Sequence, residues 1–199
     1  MKRTYIFFLC LFLMALTEIS AQTIPVNKRF GKVSREELEL SYYDLDTAAT
    51  ALILYENKWT AIHLNAADAF TQTTRTHMRI KILKEEGVSW GDFEMICHHS
   101  TKNQESVAGI DVVTYNLVDG KIVETKMPKK YIFTEDFTEN YKKVTFSAQD
   151  VRVGSVIEVK FDRIDTRYWN LPDIYFQKNI PVNLVECEVR LPEFFTFNK

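Results

Sequence analysis

The chain has 199 residues, 25 Lys+Arg against 27 Asp+Glu, and a formal net charge of −2, a balance that argues against a nucleic-acid binder because counterion release needs a clustered basic surface. With 46% hydrophobic and 26% charged residues it is no disordered chain, and six Gly and five Pro exclude a collagen-like or low-complexity one. Aromatics at 13% lean toward strands.

The basic start Met1-Lys2-Arg3 precedes an apolar run from Tyr5 to Leu16, too short for the ~20 residues that cross a bilayer and the right length for a secretory signal peptide. Thr17 to Ala21 supplies its polar, small-residue end, so residues 1–21 read as a cleavable leader. Cys10 has no lipoprotein box before it. Losing Lys2, Arg3 and Glu18 leaves 23 basic against 26 acidic residues and no second long apolar run. The expectation is an exported soluble chain, periplasmic or extracellular, with no transmembrane helix after processing.

Residues 22–50 form a lead-in segment with one helical cue, the capping box Ser34-Arg35-Glu36-Glu37, which predicts one or two turns. From Ala51 the period becomes two. Ala51–Tyr55 and Trp59–Leu64, split by Glu56-Asn57-Lys58, predict a hairpin. In Phe70–Lys84, Met78, Ile80 and Ile82 alternate with His77, Arg79 and Lys81, which predicts one face in a core and the other in water. Trp90–His98 is a weaker strand. Ile110–Val118 and Lys121–Met127 flank Asp119-Gly120, the pair best suited to the positive φ angles of a type I′ turn. Glu135–Asn140 reads as a loop and Tyr141–Ser147 as a strand. In Ser155–Arg163, Ile157, Val159 and Phe161 point inward and Glu158, Lys160 and Asp162 outward. Leu171–Gln177 and Val182–Leu191 complete about ten strands with no strand–helix alternation. The fold class is all-β, an antiparallel β-sandwich over residues 51–199.

Chemistry is harder to find. Cys97-His98-His99 gathers metal-ligand types, but neighbours on a strand point to opposite faces, and zinc sites draw on separated pairs. Cys97 as a nucleophile would need a His base, an orienting carboxylate and a helix N-terminus, and no helix is signalled there. Glu135, Asp136 and Glu139, like Asp162 and Asp165, read as solvated acids. No phosphate-binding glycine loop or nucleophile elbow occurs, so no catalytic residue, metal site or cofactor is assigned. Cys97 and Cys187 remain after processing; an oxidising compartment allows a bridge, and free buried thiols are the plainer alternative. Tyr168, Trp169 and Tyr175 are the candidate interaction surface, a glycan platform if exposed and core or docking groups otherwise.

Several stretches in order, Lys32–Leu38, Arg79–Lys84, Tyr115–Lys121, Val153–Glu158, Leu171–Gln177, Ile180–Val182 and Glu188–Glu193, resemble the uncharacterised domain N-terminal to bacterial transglutaminase-like cores. The resemblance implies an exported β-sandwich, with an immunoglobulin-like form as one option, preceding a papain-fold core that carries the Cys-His-Asp triad. The sequence stops at Lys199 before any such core, so the family's catalytic residues have no positions here. Three functions are weighed: a non-catalytic accessory domain beside a transglutaminase-like core in cis, a stand-alone module for cell-envelope glycan or peptide, and, weakest, catalysis at Cys97. A piece of a longer protein is favoured over a stand-alone form.

Overall fold

The computed structural model describes residues 24–193 and 195; the expected signal peptide and Cys10 lie outside them. The lead-in segment forms the short helix α1 (Arg35–Glu39). Its capping box is complete: Ser34 Oγ accepts from the Glu37 N–H at 3.2 Å, and Glu37 Oε2 accepts from the Ser34 N–H at 2.6 Å.

Nine strands follow among the described residues: β1 (Ala51–Leu64), β2 (Phe70–Ile82), β3 (Asp92–His98), β4 (Glu105–Val118), β5 (Lys121–Lys126), β6 (Phe133–Thr138), β7 (Tyr141–Ser147), β8 (Val156–Asp165) and β9 (Val185–Arg190). They make a six-stranded sheet in the order β5-β4-β8-β2-β1-β9 and a three-stranded sheet in the order β3-β7-β6. Asp119 (φ 49°) and Gly120 (φ 72°) turn β4 into β5 with the expected positive φ pair.

The fold class is the all-β, sandwich-like one the period-two pattern predicts. Ile53, Ile80, Ile82, Val112, Ile157 and Val159 of the large sheet pack against Met95, Cys97, Val144 and Phe146 of the small one. The opposite face of the large sheet is covered as well. Leu52, Leu54, Val113, Tyr115 and Val156 pack there with Leu38 of α1 and with Ile24, Val26, Phe30 and Val33 of the lead-in segment.

That second cover corrects the reading of β2 and β8. Arg79 and Lys81 are 0% exposed, as is Glu158, because the lead-in segment lies over the face assigned to water. Arg79 Nη1 donates to Glu37 Oε1 at 2.7 Å and Arg79 Nη2 to Glu158 Oε1 at 2.5 Å. Glu158 also takes hydrogen bonds from Tyr115 Oη and from the Gly31 N–H, and lies 2.8 Å from His77 Nε2. Lys81 Nζ donates to the carbonyls of Leu38 and Gly154, each at 2.6 Å. Two cations and two carboxylates thus meet inside the protein, and their charges balance.

Four further expectations are corrected. Glu56-Asn57-Lys58 is no turn: β1 runs through it paired to β2, and the chain reverses at Asn65–Ala69, where the Asn65 N–H donates to the Ala69 carbonyl. Glu135–Asn140 is largely strand β6, polar because every residue of this edge strand is exposed. Leu171–Gln177 is irregular, part of the connection from β8 to β9, and nine strands stand among the described residues, in line with the expected ten or so. The sheet is not wholly antiparallel, since β9 pairs parallel with β1.

Candidate functional site

The small sheet covers only part of its side of the large sheet. Beyond it lies a groove of about 510 Å³, within the ~300–1,000 Å³ span of small-molecule sites. Thr60 of β1, Gln72, Thr74 and Thr76 of β2 and Phe161 of β8 line it from the sheet, with Trp90 nearby and the connection from β8 to β9 on the far side.

A local irregularity puts the polar groups of β1 there. The pairing with β2 shifts between Ile53 and Tyr55, so Ile53 opposes Ile80 but Tyr55 opposes Arg79. One extra residue reverses the in–out alternation from that point. Glu56, Lys58 and Thr60 therefore share the groove face with Met78, Thr76 and Thr74, their partners in β2. Thr60 Oγ1 and Thr74 Oγ1 share a hydrogen bond of 3.0 Å.

Most charges around the groove are engaged, though not one to one: Lys58 and Lys178 share Glu56, and Asp173 meets a hydroxyl rather than a cation. Glu56 lies with Oε1 3.5 Å from Lys58 Nζ and Oε2 3.1 Å from Lys178 Nζ. Arg163 Nε donates to Glu105 Oε1 at 2.8 Å, and its Nη2 to the Ile96 carbonyl at 3.1 Å. Arg167 Nη2 donates to Asp165 Oδ2 at 2.7 Å and to Glu105 Oε2 at 3.3 Å. The hydrogen bond to Asp165 holds the Arg167 guanidinium above its ordinary pKa despite partial burial. Asp173 accepts from Tyr175 Oη at 3.2 Å, and Glu188 from Arg190 Nε at 2.6 Å. Two buried acceptors of the lining have no hydrogen-bond partner: Oε2 of Glu56, which has the ion pair with Lys178 instead, and Oε1 of Gln72, a residue 5% exposed.

The residues singled out in the sequence fall around this groove unevenly. Tyr175 lines it and is 63% exposed. Trp169 is 59% exposed and meets Tyr168 edge-on, while Tyr168 packs on Phe70 and Phe195. The three belong to one connection, but only Tyr175 reaches the groove. Cys97 and Cys187 form no bridge. Cys97 is buried between the sheets on β3, and Cys187 sits beside Lys58 on β9 of the other sheet. Burial pushes both thiols above their ordinary pKa. His98 packs edge-on against Tyr141, and its backbone N–H donates to Glu105 Oε2. Among the described residues, no three His, Cys, Asp or Glu side chains cluster to hold a metal, and no helix is long and apolar enough to cross a membrane.

Gln72, Thr60 and Thr74 carry no motif. The sequence signal for Gln72 and Thr74 is that polar residues occupy 72, 74 and 76, on the side that holds Met78 and Ile80 further along the strand; Thr60 has none.

No curated protein matches the sequence. Among solved structures, a protein of Parabacteroides distasonis described as a putative protease has a TM-score of 0.51 at 18% identity, over 72% of this chain and 29% of that one. This chain therefore spans under a third of that protein, and the likeness is one of fold. Two structures of yeast LTA4 hydrolase, native and in complex with bestatin, give TM-scores of 0.29 and 0.28 at 13% and 12% identity, each over 69% of this chain and 17% of theirs. These last two carry no argument. The family model that matches residues 68–198 is a domain of unknown function with solved structure, and the chain belongs to that family, DUF3857.

Proposed function

We propose that the chain is the exported, non-catalytic accessory domain of a longer protein, docking against a transglutaminase-like peptidase or transferase core and shaping access to it. The observation that carries this reading is a group of apolar side chains left in solvent. Trp169, Ile174, Tyr175 and Phe176 are all exposed on the connection from β8 to β9. Large apolar groups gathered on one surface segment mark interaction sites. Support for a larger whole comes from the Parabacteroides protein, of which a fold like this one makes up less than a third.

The groove's own chemistry agrees with a non-catalytic role. Its acids are engaged by lysine, arginine or tyrosine, and its lining holds neither histidine nor cysteine. The test is hydrogen exchange on the 199-residue chain, alone and mixed with a separately expressed transglutaminase-like core from a DUF3857 protein. Protection over 169–176 in the mixture is expected. Unchanged exchange there, or peptide hydrolysis or crosslinking by the chain alone, overturns the reading.

A further inference from the structure

We infer that the groove between β1, β2, β8 and the β8–β9 connection is a binding site for a neutral carbohydrate. The inference does not depend on a catalytic neighbour.

Charge is the first argument. Lys58, Lys178, Arg163 and Arg167 face the groove, the two lysines sharing Glu56 and the two arginines engaged by Glu105 and Asp165. A phosphate or carboxylate ligand would compete with the buried carboxylates for these cations and weaken the pairing that compensates them. Glu56 is 2% exposed and Asp165 is 7%, so the loss falls on desolvated groups. A cationic ligand meets the same difficulty at these pairs with the sign reversed, and Asp173, whose partner is the Tyr175 hydroxyl, sits exposed at the rim, where an ion pair adds little. The site favours an occupant with no net charge.

The second argument is the amide of Gln72. It is more than nine-tenths buried, faces the groove, and leaves its Oε1 without a partner. A buried polar atom in that state costs about 1–3 kcal/mol, a cost that an incoming donor removes. Hydroxyls both donate and accept, so a polyhydroxylated ligand can serve either end of this amide and the hydroxyls of Thr60, Thr74 and Thr76 together. Tyr175, exposed on the rim, and Trp90 and Phe161, within the lining, add the aromatic surface on which the apolar face of a sugar ring can lie. A peptide backbone would also bring donors, but it gains most from an open strand edge, and this floor lies on a sheet face where β1, β2 and β8 are paired to one another.

The experiment is calorimetric titration of the full chain with four probes: triacetylchitotriose and cellotriose as neutral saccharides, trigalacturonic acid as their anionic counterpart, and a Gly-Ser hexapeptide. At least one neutral trisaccharide is expected to bind one-to-one with Kd below about 1 mM. Gln72→Leu should weaken it about tenfold or more while leaving the chain at least as stable, since an unpaired buried acceptor is removed. Tyr175→Ala, at a position too exposed to matter for folding, should weaken it as well, and it decides the matter if Gln72→Leu fails to fold. The proposal is overturned if neither neutral saccharide binds, if trigalacturonic acid or the hexapeptide binds more tightly, or if saccharide binding survives the substitutions unchanged.

Discussion

Arg79 of β2 reaches across to Glu37 of α1, Nη1 to Oε1 at 2.7 Å, with both side chains wholly buried. The contact joins the lead-in segment to the middle of the large sheet. Its other carboxylate, Glu158, approaches from β8. Replacing Arg79 by Met should therefore cost about 3–5 kcal/mol, because Glu37 loses its ion-pair partner and keeps only the more distant charge of Lys81, while Glu158 keeps only neutral donors and His77. Urea denaturation measures the loss. Arg79→Lys should recover only part of it, since an ammonium cannot span both carboxylates and the Arg29 carbonyl as the guanidinium does.

Lys81 makes a prediction at alkaline pH. Burial pushes its ammonium down from 10.5 to about 8, with the Glu37 charge opposing the shift. Between about pH 8 and 10.5 the unfolded chain holds a proton there that the folded chain has released. Stability therefore gains a rising component across that window. The neutral amine keeps two N–H donors, enough for both the Leu38 and Gly154 carbonyls. Cys97, Cys187, Tyr55 and Tyr115, all raised chiefly by burial, pull the opposite way above about pH 9. The difference in unfolding free energy between wild type and Lys81→Met isolates the lysine, and a flat difference from pH 8 to 10 would contradict the assignment.

Glu158 governs the acid side. Burial alone would raise its pKa, but hydrogen bonds from His77, Arg79 and the Gly31 N–H, with the Arg79 charge, bring it below the ordinary 4.5. A depressed carboxylate adds stability that is complete above the unfolded pKa and is lost as pH falls through the folded one. Glu158→Gln should be less stable at neutral pH and lose stability less steeply below pH 4.5. Thermal unfolding from pH 7 to 3 reads both effects.

Gly87 should not tolerate a side chain. A Cβ there would lie 2.2 Å from the Thr50 carbonyl oxygen, which accepts from the N–H groups of both Leu83 and Lys84. Displacing that carbonyl disturbs the start of β1 and the end of β2 together. Gly87→Ala is expected to cost about 1–3 kcal/mol in chemical denaturation, the scale of other overpacking changes.

The strands with one apolar and one polar side were legible because alternation reports a half-buried sheet directly. The same rule misplaced Arg79, Lys81 and Glu158. A charge at every second position looks the same whether water or a neutralising partner lies above it, and that partner, Glu37, is 42 residues away from Arg79. A clue lay in the lead-in residues Ile24, Val26, Phe30, Val33 and Leu38, apolar groups that had to be buried against something. Glu56-Asn57-Lys58 was misread for a related reason: three polar residues resemble a turn, yet the bulge beside Ile53 turns Glu56 and Lys58 into a recess where each finds an ion-pair partner. The groove was invisible because it arises where the small sheet stops short, and no single segment encodes that.

The cover over Arg79 bears on how the protein should be cut for study. The family match begins at residue 68, yet a polypeptide started there would lack β1, the strand between β2 and β9, and would leave Arg79 and Lys81 without Glu37 or the Leu38 carbonyl. Such a truncation would uncover Arg79 and Lys81, leaving them Glu158 and the Gly154 carbonyl alone, and would detach β9 from β1, the strand it pairs with. A polypeptide meant to fold on its own should keep the lead-in residues from Ile24 onward, which pack on the sheet and bond Asn183.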